Sequence, residues 1–338
     1  MQDQIARAVT RLRAGGLVAI PTETVYGLAA DALNADAVNK IFQAKNRPSI
    51  HPLIVHVPHP CRADMSEDEK EEAWSGLLSQ WSRDVSKEAL ALAKAFWPGP
   101  LTMILHKAKN VLYEVTGNQE TVGLRCPGHR MALELLERYS GGLAAPSANR
   151  FGRISPTTAD HVRHEFSDMD LLVLDGGPCR VGIESTIVDL TRLATQGPVI
   201  LRPGMIGRRE IEDALNLRVS DAHQAAGPRV SGSLSAHYAP RTAMAFSGAL
   251  PSGRDRAGKV AWVHFPGTDL PPALQALDLA ETILPARPEA LARNLYALLR
   301  DLDGQGFDLI CLDELPSDPC WNAIRDRLVR AVNGSGQA

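Results

Sequence analysis

Short apolar runs alternate with segments of helical period along the first two hundred residues, and this alternation confines the chain to an α/β fold around a mixed sheet. Ile5, Ala8, Val9 and Leu12 recur one helical turn apart, and Gly15 and Gly16 stop that helix before a β-like run at 17–20. Further β-like runs fall at 53–57, 101–105, 122–125, 171–174, 185–190 and 199–201, with helical spacing at 36–43, 87–96, 129–139 and 158–166. After RPGMIG (202–207) and a short helix the pattern dissolves into a stretch rich in Gly, Ser and Pro. It resumes at 261–265, 289–302, 307–312 and 321–332. With 338 residues, the chain is expected to form a first domain over 1–207, a linker or lid over 208–242 and a smaller C-terminal α/β, Rossmann-like domain over 243–338.

A net charge of -3 gives no general reason to expect nucleic acid or membrane binding. The five cysteines are scattered without a C-x-x-C pair, the N-terminus lacks the apolar core of a signal peptide, and no segment approaches a membrane span. These features predict a reduced, cytoplasmic setting. The acidic, Trp-containing stretch between His59 and Ser86 reads as a surface insertion with a solvated charged face.

The candidate chemistry begins where PTETVYGL (21–28) and KNRPSIHPLIVHV (45–57) flank a predicted helix. A polar, basic seam between buried strands is poor folding material but suits an anionic ligand. Lys45 and Arg47 stand two apart, so an extended loop would project both to one side as a point charge and a planar fork; the competing reading is ordinary cations at a helix C-terminus. Thr22, Thr24 and Tyr26 offer hydroxyls for a ligand or for turn capping, and capping is the preferred reading for Glu23. His56 shares a strand face with Ile54. Arg125 ends a strand among apolar neighbours and needs an anionic partner, either an internal carboxylate or a substrate. APSANRFGRISPT (145–157) has the composition of a loop that lets a ligand approach the backbone, and Ser155–Pro156 reads as a helix start. Ser185 and Arg202 complete the set. There is no P-loop, G-x-G-x-x-G, G-x-S-x-G or H-E-x-x-H motif, and His161 and His164 read as surface residues.

In this order PTETVYGL, the K-x-R loop, PGPLT, GLRCP, the S-x-N of PSAN, ESTIVD and RPG closely resemble the YrdC-like family of L-threonylcarbamoyl-AMP synthases, in its long form with a C-terminal domain. SAHYAP resembles that family's linker into the C-terminal domain. The resemblance implies a YrdC-like twisted mixed sheet with flanking helices. The implied reaction converts L-threonine, bicarbonate and ATP to threonylcarbamoyl-AMP and pyrophosphate and supplies the threonylcarbamoyl modification of tRNA.

Carried onto this chain, the resemblance gives threonine to Thr24, His56, Arg125, Ala145 and Ser185. It gives ATP to Arg47, His51, Thr121, Ser147, Asn149, Ser155, Arg202, His237 and Tyr238, with Lys45 and Arg47 in the catalytic role. Many relatives have Asn where this chain has His51. Mg2+ is expected to arrive with ATP, held mainly by its phosphates, with no protein metal site. Downstream stands the tRNA threonylcarbamoyl-transfer machinery, and no membrane partner is expected. A reactive acyl adenylate must be shielded from water, so the linker is expected to close over the substrates. The alternative, a double-stranded RNA-binding module, rests on the basic loop. The carbamoyl-transfer domains of hydrogenase maturation share the fold but carry acylphosphatase-like and zinc-finger segments that this chain lacks.

Overall fold

Burial of the apolar stripes found in the sequence produces two units. The computed structural model describes residues 1–221, 227–250, 258–275 and 277–336. Residues 222–226 of the expected linker, and 251–257, 276, 337 and 338 of the expected C-terminal domain, lie outside the described residues. The first unit comprises Met1–Phe151, Pro156–Arg180 and Glu184–Ser233, and the second Gly152–Ser155, Val181–Ile183 and Leu234–Ala338. The expected linker is thus divided, its part up to Ser233 belonging to the first unit.

The strands of the first unit are β1 (Val18–Ile20), β2 (Gly27–Asp31), β3 (Ile54–His56), β4 (Leu101–His106), β5 (Thr121–Arg125), β6 (Leu143–Ala144), β7 (Leu172–Val173), β8 (Thr186–Asp189), β9 (Val199–Arg202) and β10 (Ser220–Asp221). Among the described residues they form one mixed sheet in the order β10-β9-β8-β4-β5-β3-β6-β2-β1-β7. Helices α1 (Gln2–Arg13), α2 (Ala35–Lys45), α3 (Glu67–Ser79), α4 (Lys87–Phe96), α5 (Tyr113–Thr116), α6 (Arg130–Tyr139), α7 (Ala159–Glu165), α8 (Leu193–Gln196) and α9 (Arg208–Leu215) flank it. α1 and α6 pack together through Ile5, Ala8, Leu12, Leu135 and Leu136, while α2, α3 and α4 build the larger cluster.

The acidic segment departs from expectation. It folds as α3, started by a capping box in which the Glu69 amide donates to Ser66 Oγ at 3.3 Å and the Ser66 amide donates to Glu69 Oε2 at 2.7 Å. Its carboxylates are exposed, as the solvated-face reading required, but Trp74, Leu77 and Leu78 enter the core, and Trp74 lies 5.4 Å from Trp97. Charge density on one face concealed a three-residue apolar stripe on the other. Leu78→Ala is therefore expected to cost ~2–5 kcal/mol in urea unfolding, whereas a residue in a surface insertion would cost below ~0.5 kcal/mol.

Pairing in the centre of the sheet creates one functional face. β3 and β5 run parallel with Ile54 beside Gly123 and His56 beside Arg125; antiparallel β4 sets Ile104 beside Gly123, and β8 sets Ile187 beside Thr102. Alternation then puts Ile54, His56, Gly123, Arg125, Thr102, Ile104 and Ile187 on one side. A Cβ on Gly123 would stand 3.3 Å from Ile104 Cδ1 and 3.5 Å from Ile54 Cγ1, so glycine lets the isoleucines approach each other. Val230 packs on Ile54, Ile104 and Ile187.

The second unit contains β11 (Met244–Phe246), β12 (Lys259–His264), β13 (Asp278–Ile283) and β14 (Leu309–Leu312), with α10 (Pro288–Asp303) between β13 and β14 and α11 (Asn322–Gly334) at the end. The described strands are parallel in the order β11-β14-β12-β13. β13 was not among the expected strands: it is an edge strand of intermediate and exposed residues, so it lacks an apolar run.

Candidate active site

The hydroxyl-rich turn before β2 is organised by Thr22. Its Oγ1 accepts the amide hydrogens of Thr24 and Val25, both at 3.2 Å, and donates to the Val25 carbonyl at 2.6 Å. The Thr24 hydroxyl, 2.9 Å away, therefore donates to Thr22 Oγ1. This turn aims Glu23 inward. Glu23 Oε1 accepts Arg125 Nη2 at 2.7 Å and its Oε2 accepts the Gly128 amide at 2.8 Å. The anionic partner of Arg125 is thus an internal carboxylate, with both side chains buried. Arg125 Nε donates to the Gly99 carbonyl at 3.3 Å, which leaves Nη1 without a partner among the described residues and available for an incoming carboxylate.

His56 lies beside Arg125 in the register and is buried, with Nδ1 unpartnered. Burial, aided by the Arg125 charge, holds its pKa down at about 3, so it is a neutral ring in the folded protein. Across the same face Ser185 Oγ lies 2.8 Å from Thr102 Oγ1 and accepts Arg202 Nη2 at 3.1 Å. Arg202 also donates to the Ser185 carbonyl through Nε (3.1 Å) and Nη2 (2.9 Å), and to the Ser231 carbonyl through Nη1 at 2.9 Å. Thr102 was not singled out in the sequence, although PGPLT contained the signal for it; Ser231 was marked only as the start of the Ser-, His- and Tyr-bearing stretch 231–240.

The K-x-R pair does not form an extended loop. Lys45 is the last residue of α2, and Asn46 adopts φ 50°, ψ 45°, so the chain reverses with the Arg47 amide donating to the Phe42 carbonyl at 2.9 Å. The two side chains consequently have different partners. Lys45, 1% exposed, donates from Nζ to the carbonyls of Ser147 and Asn149. Burial, reinforced by Arg47, drives its pKa well below the usual lysine value. Arg47, also buried, donates from Nη2 to the Pro52 carbonyl at 3.0 Å and to Ser231 Oγ at 3.1 Å, with its guanidinium 5.7 Å from the Phe151 ring. Both are cations at a helix C-terminus, as the competing reading held, but neither is a surface charge.

Half-buried His51 lies 5.2 Å from the same Phe151 ring, and burial, then Arg47 and Arg229, lower its pKa. The Ala145 amide donates to the Ile54 carbonyl at 3.0 Å, Ser147 bridges to Gly27, and Asn149 Nδ2 donates to the Arg150 carbonyl at 2.7 Å. Thr121 opens β5 opposite His106. Ser155, His237 and Tyr238 belong to the second unit, where all three are buried and Tyr238 stacks on Tyr296 with centroids 5.6 Å apart. In the first unit the seam is therefore a ring of buried cations, hydroxyls and one neutral histidine around an isoleucine floor. Such a surface suits a small carboxylate and a polyphosphate, which need fixed donors rather than a covalent nucleophile.

Residues 10–204 match the Sua5/YciO/YrdC family model, described as telomere recombination, and residues 206–332 match the Sua5 C-terminal model, described as the C-terminal domain of threonylcarbamoyl-AMP synthase. The chain is 35% identical over 336 residues to a threonylcarbamoyl-AMP synthase of Pyrococcus abyssi, spanning 95% of this chain and 91% of that protein. It is 36% identical over 349 residues to the Bacillus subtilis protein of the same name, spanning 98% and 93%. The crystal structure of P. abyssi Sua5 complexed with L-threonine superposes with a TM-score of 0.79 at 34% identity, covering 98% of this chain and 94% of that one.

Proposed function

The chain belongs to the Sua5/YciO/YrdC family in its two-domain, threonylcarbamoyl-AMP synthase form, and from that membership we propose that it converts L-threonine, bicarbonate and ATP to threonylcarbamoyl-AMP and pyrophosphate. The observation that carries the reading is the shared face of β3, β5, β4 and β8, where Arg125, His56, Ser185 and Arg202 surround Ile54, Ile104 and Ile187. A threonine carboxylate meets Arg125 Nη1, with Thr24, Ala145 and Ser185 completing the amino acid's surroundings. The threonine-bound structure of a 34% identical relative supports L-threonine as the amino acid. The name shared by relatives of nearly full-length match favours this reading over an RNA-binding module.

The chemistry then follows from charge. The threonine amine attacks bicarbonate, water leaves, and the resulting carbamate oxygen attacks the α-phosphorus while pyrophosphate departs. Both steps crowd anions, so positioning and neutralisation supply the catalysis. We assign the phosphates to Arg47 and Arg202, with Lys45 holding the Ser147 and Asn149 backbone in place, and His51 and Thr121 to the nucleotide. Mg2+ is assigned to the triphosphate. The product goes to the enzymes that transfer the threonylcarbamoyl group to tRNA, and a cytoplasmic location follows from that role. Incorporation of labelled bicarbonate into an acid-labile adenylate only when threonine and ATP are both present tests the reaction; incorporation without threonine would contradict it.

Neutral His56 also predicts a pH dependence of stability. Its folded pKa of about 3 lies below the ordinary 6.5, so between those values the unfolded chain carries a proton that the folded chain does not. The contribution is fully present above pH 6.5 and is lost as the pH falls towards 3, with a slope of up to ~1.4 kcal/mol per pH unit. Urea midpoints at pH 7 and pH 5 should differ more for the wild type than for His56→Leu; equal differences would refute a buried neutral ring.

A further inference from the structure

The second unit carries a polar cluster that the reaction above leaves unused. β12 and β14 are parallel neighbours with Trp262 beside Cys311 and Val263 beside Leu312. The ladder continues one step beyond β14, because the Asp313 amide donates to the Val263 carbonyl at 2.9 Å. Alternation therefore puts Trp262 and His264 on the same side as Cys311 and Asp313. Towards the middle of the sheet this side is apolar, with Val260, Trp262, Leu274, Leu309 and Cys311 in one cluster. At the carboxyl edge it turns polar. Trp262, His264 and Asp313 are 4%, 7% and 4% exposed, yet Trp262 Nε1, His264 Nε2 and Asp313 Oδ1 have no hydrogen-bond partner among the described residues.

These are not mispositioned side chains, since each is fixed by its other atoms. His264 Nδ1 is 2.9 Å from the Phe265 carbonyl, which can only accept, so Nδ1 is the donor there and Nε2 is left without a partner. Asp313 Oδ2 accepts the Phe265 amide at 3.0 Å, and the Trp262 ring stacks on His264 with centroids 3.8 Å apart. Buried polar atoms left over in this way call for an occupant. Topology points to the same edge. From β12 the chain proceeds to β13, its neighbour on one side, whereas from β14 it proceeds through α11, which packs on β11 on the other side. The exits diverge between β12 and β14, and in open parallel sheets ligands bind at the carboxyl ends of strands at such a switch point.

An unfilled acceptor on Asp313, an unfilled donor on Trp262 and the second ring nitrogen of His264 define the occupant. Hydroxyl groups satisfy both kinds, and the exposed carboxylates of Glu314 and Asp318 after β14 make this edge unfavourable for phosphate. We propose that the carboxyl edge of β12 and β14 is a second small-molecule site that binds the vicinal hydroxyls of a nucleoside through Asp313 and His264, with the Trp262 indole N–H as donor.

The test uses the full chain labelled at the tryptophan indole nitrogens, with the Trp262 resonance assigned from Trp262→Phe and adenosine as the probe. Adenosine should shift the Trp262 signal saturably. The apparent affinity should fall at least tenfold for 2′-deoxyadenosine, an arm that needs no altered protein, and at least tenfold in Asp313→Asn, while threonine-dependent pyrophosphate release is unchanged. A Trp262 signal unmoved by millimolar adenosine, equal responses to the two nucleosides, or an undiminished response in a folded Asp313→Asn protein would each overturn the proposal.

Discussion

Arg125→Ala is expected to lower kcat/KM for threonine by at least ~10³-fold and to cost ~3–5 kcal/mol of stability in the same protein. The two losses have different origins. The first removes the guanidinium whose Nη1 is left for the substrate carboxylate; the second strands Glu23, whose Oε1 loses its 2.7 Å partner inside the protein. Adding Glu23→Gln should therefore restore most of the stability, because the uncompensated buried charge is gone, and none of the activity. Thermal or urea unfolding of the two variants separates these effects. If Arg125→Ala unfolds at the wild-type midpoint, Glu23 is not held as described. If the double variant recovers turnover, Arg125 does not bind threonine.

Lys45→Met should produce the second large effect, by another route. Lys45 Nζ donates to the carbonyls of Ser147 and Asn149, and a thioether of similar length fills the space while donating to neither, so the Ser147 carbonyl keeps the Asn149 amide at 3.0 Å but both carbonyls lose the lysine. At ~1.5–3 kcal/mol for a hydrogen bond to a charged group, a loss of ~2–4 kcal/mol is expected, together with a KM for ATP raised at least ~30-fold as the 147–149 backbone loosens. Threonine affinity, measured without nucleotide, should change less than threefold. Were Lys45 instead a direct phosphate ligand with no latching role, ATP affinity would fall with the unfolding midpoint unchanged.

What the sequence made legible was periodic, and what it hid was long-range or single-residue. Apolar runs located β3, β4, β5, β8 and β9 and the helices beside them, because burial on one face writes itself into every second or every third and fourth residue. Two-residue β6 and polar-edged β13 leave no such trace. The left-handed Asn46 separates Lys45 from Arg47, and Asn is among the few residues that tolerate that conformation; an extended loop was nevertheless the simpler reading of K-x-R. Glu23 and Arg125 are 102 positions apart, and nothing in spacing could join them. The site types were visible as hydroxyls and cations in the wrong places for folding. Which cation holds protein and which is left for substrate emerged only from the hydrogen bonds.

The central claim is a single site that joins threonine, bicarbonate and ATP, and the most direct measurement is pyrophosphate release from ATP with each of the other two substrates omitted in turn. Release should require both threonine and bicarbonate and fall to the level of the no-protein control when either is withheld. Release that continues at the full rate without threonine would contradict the account.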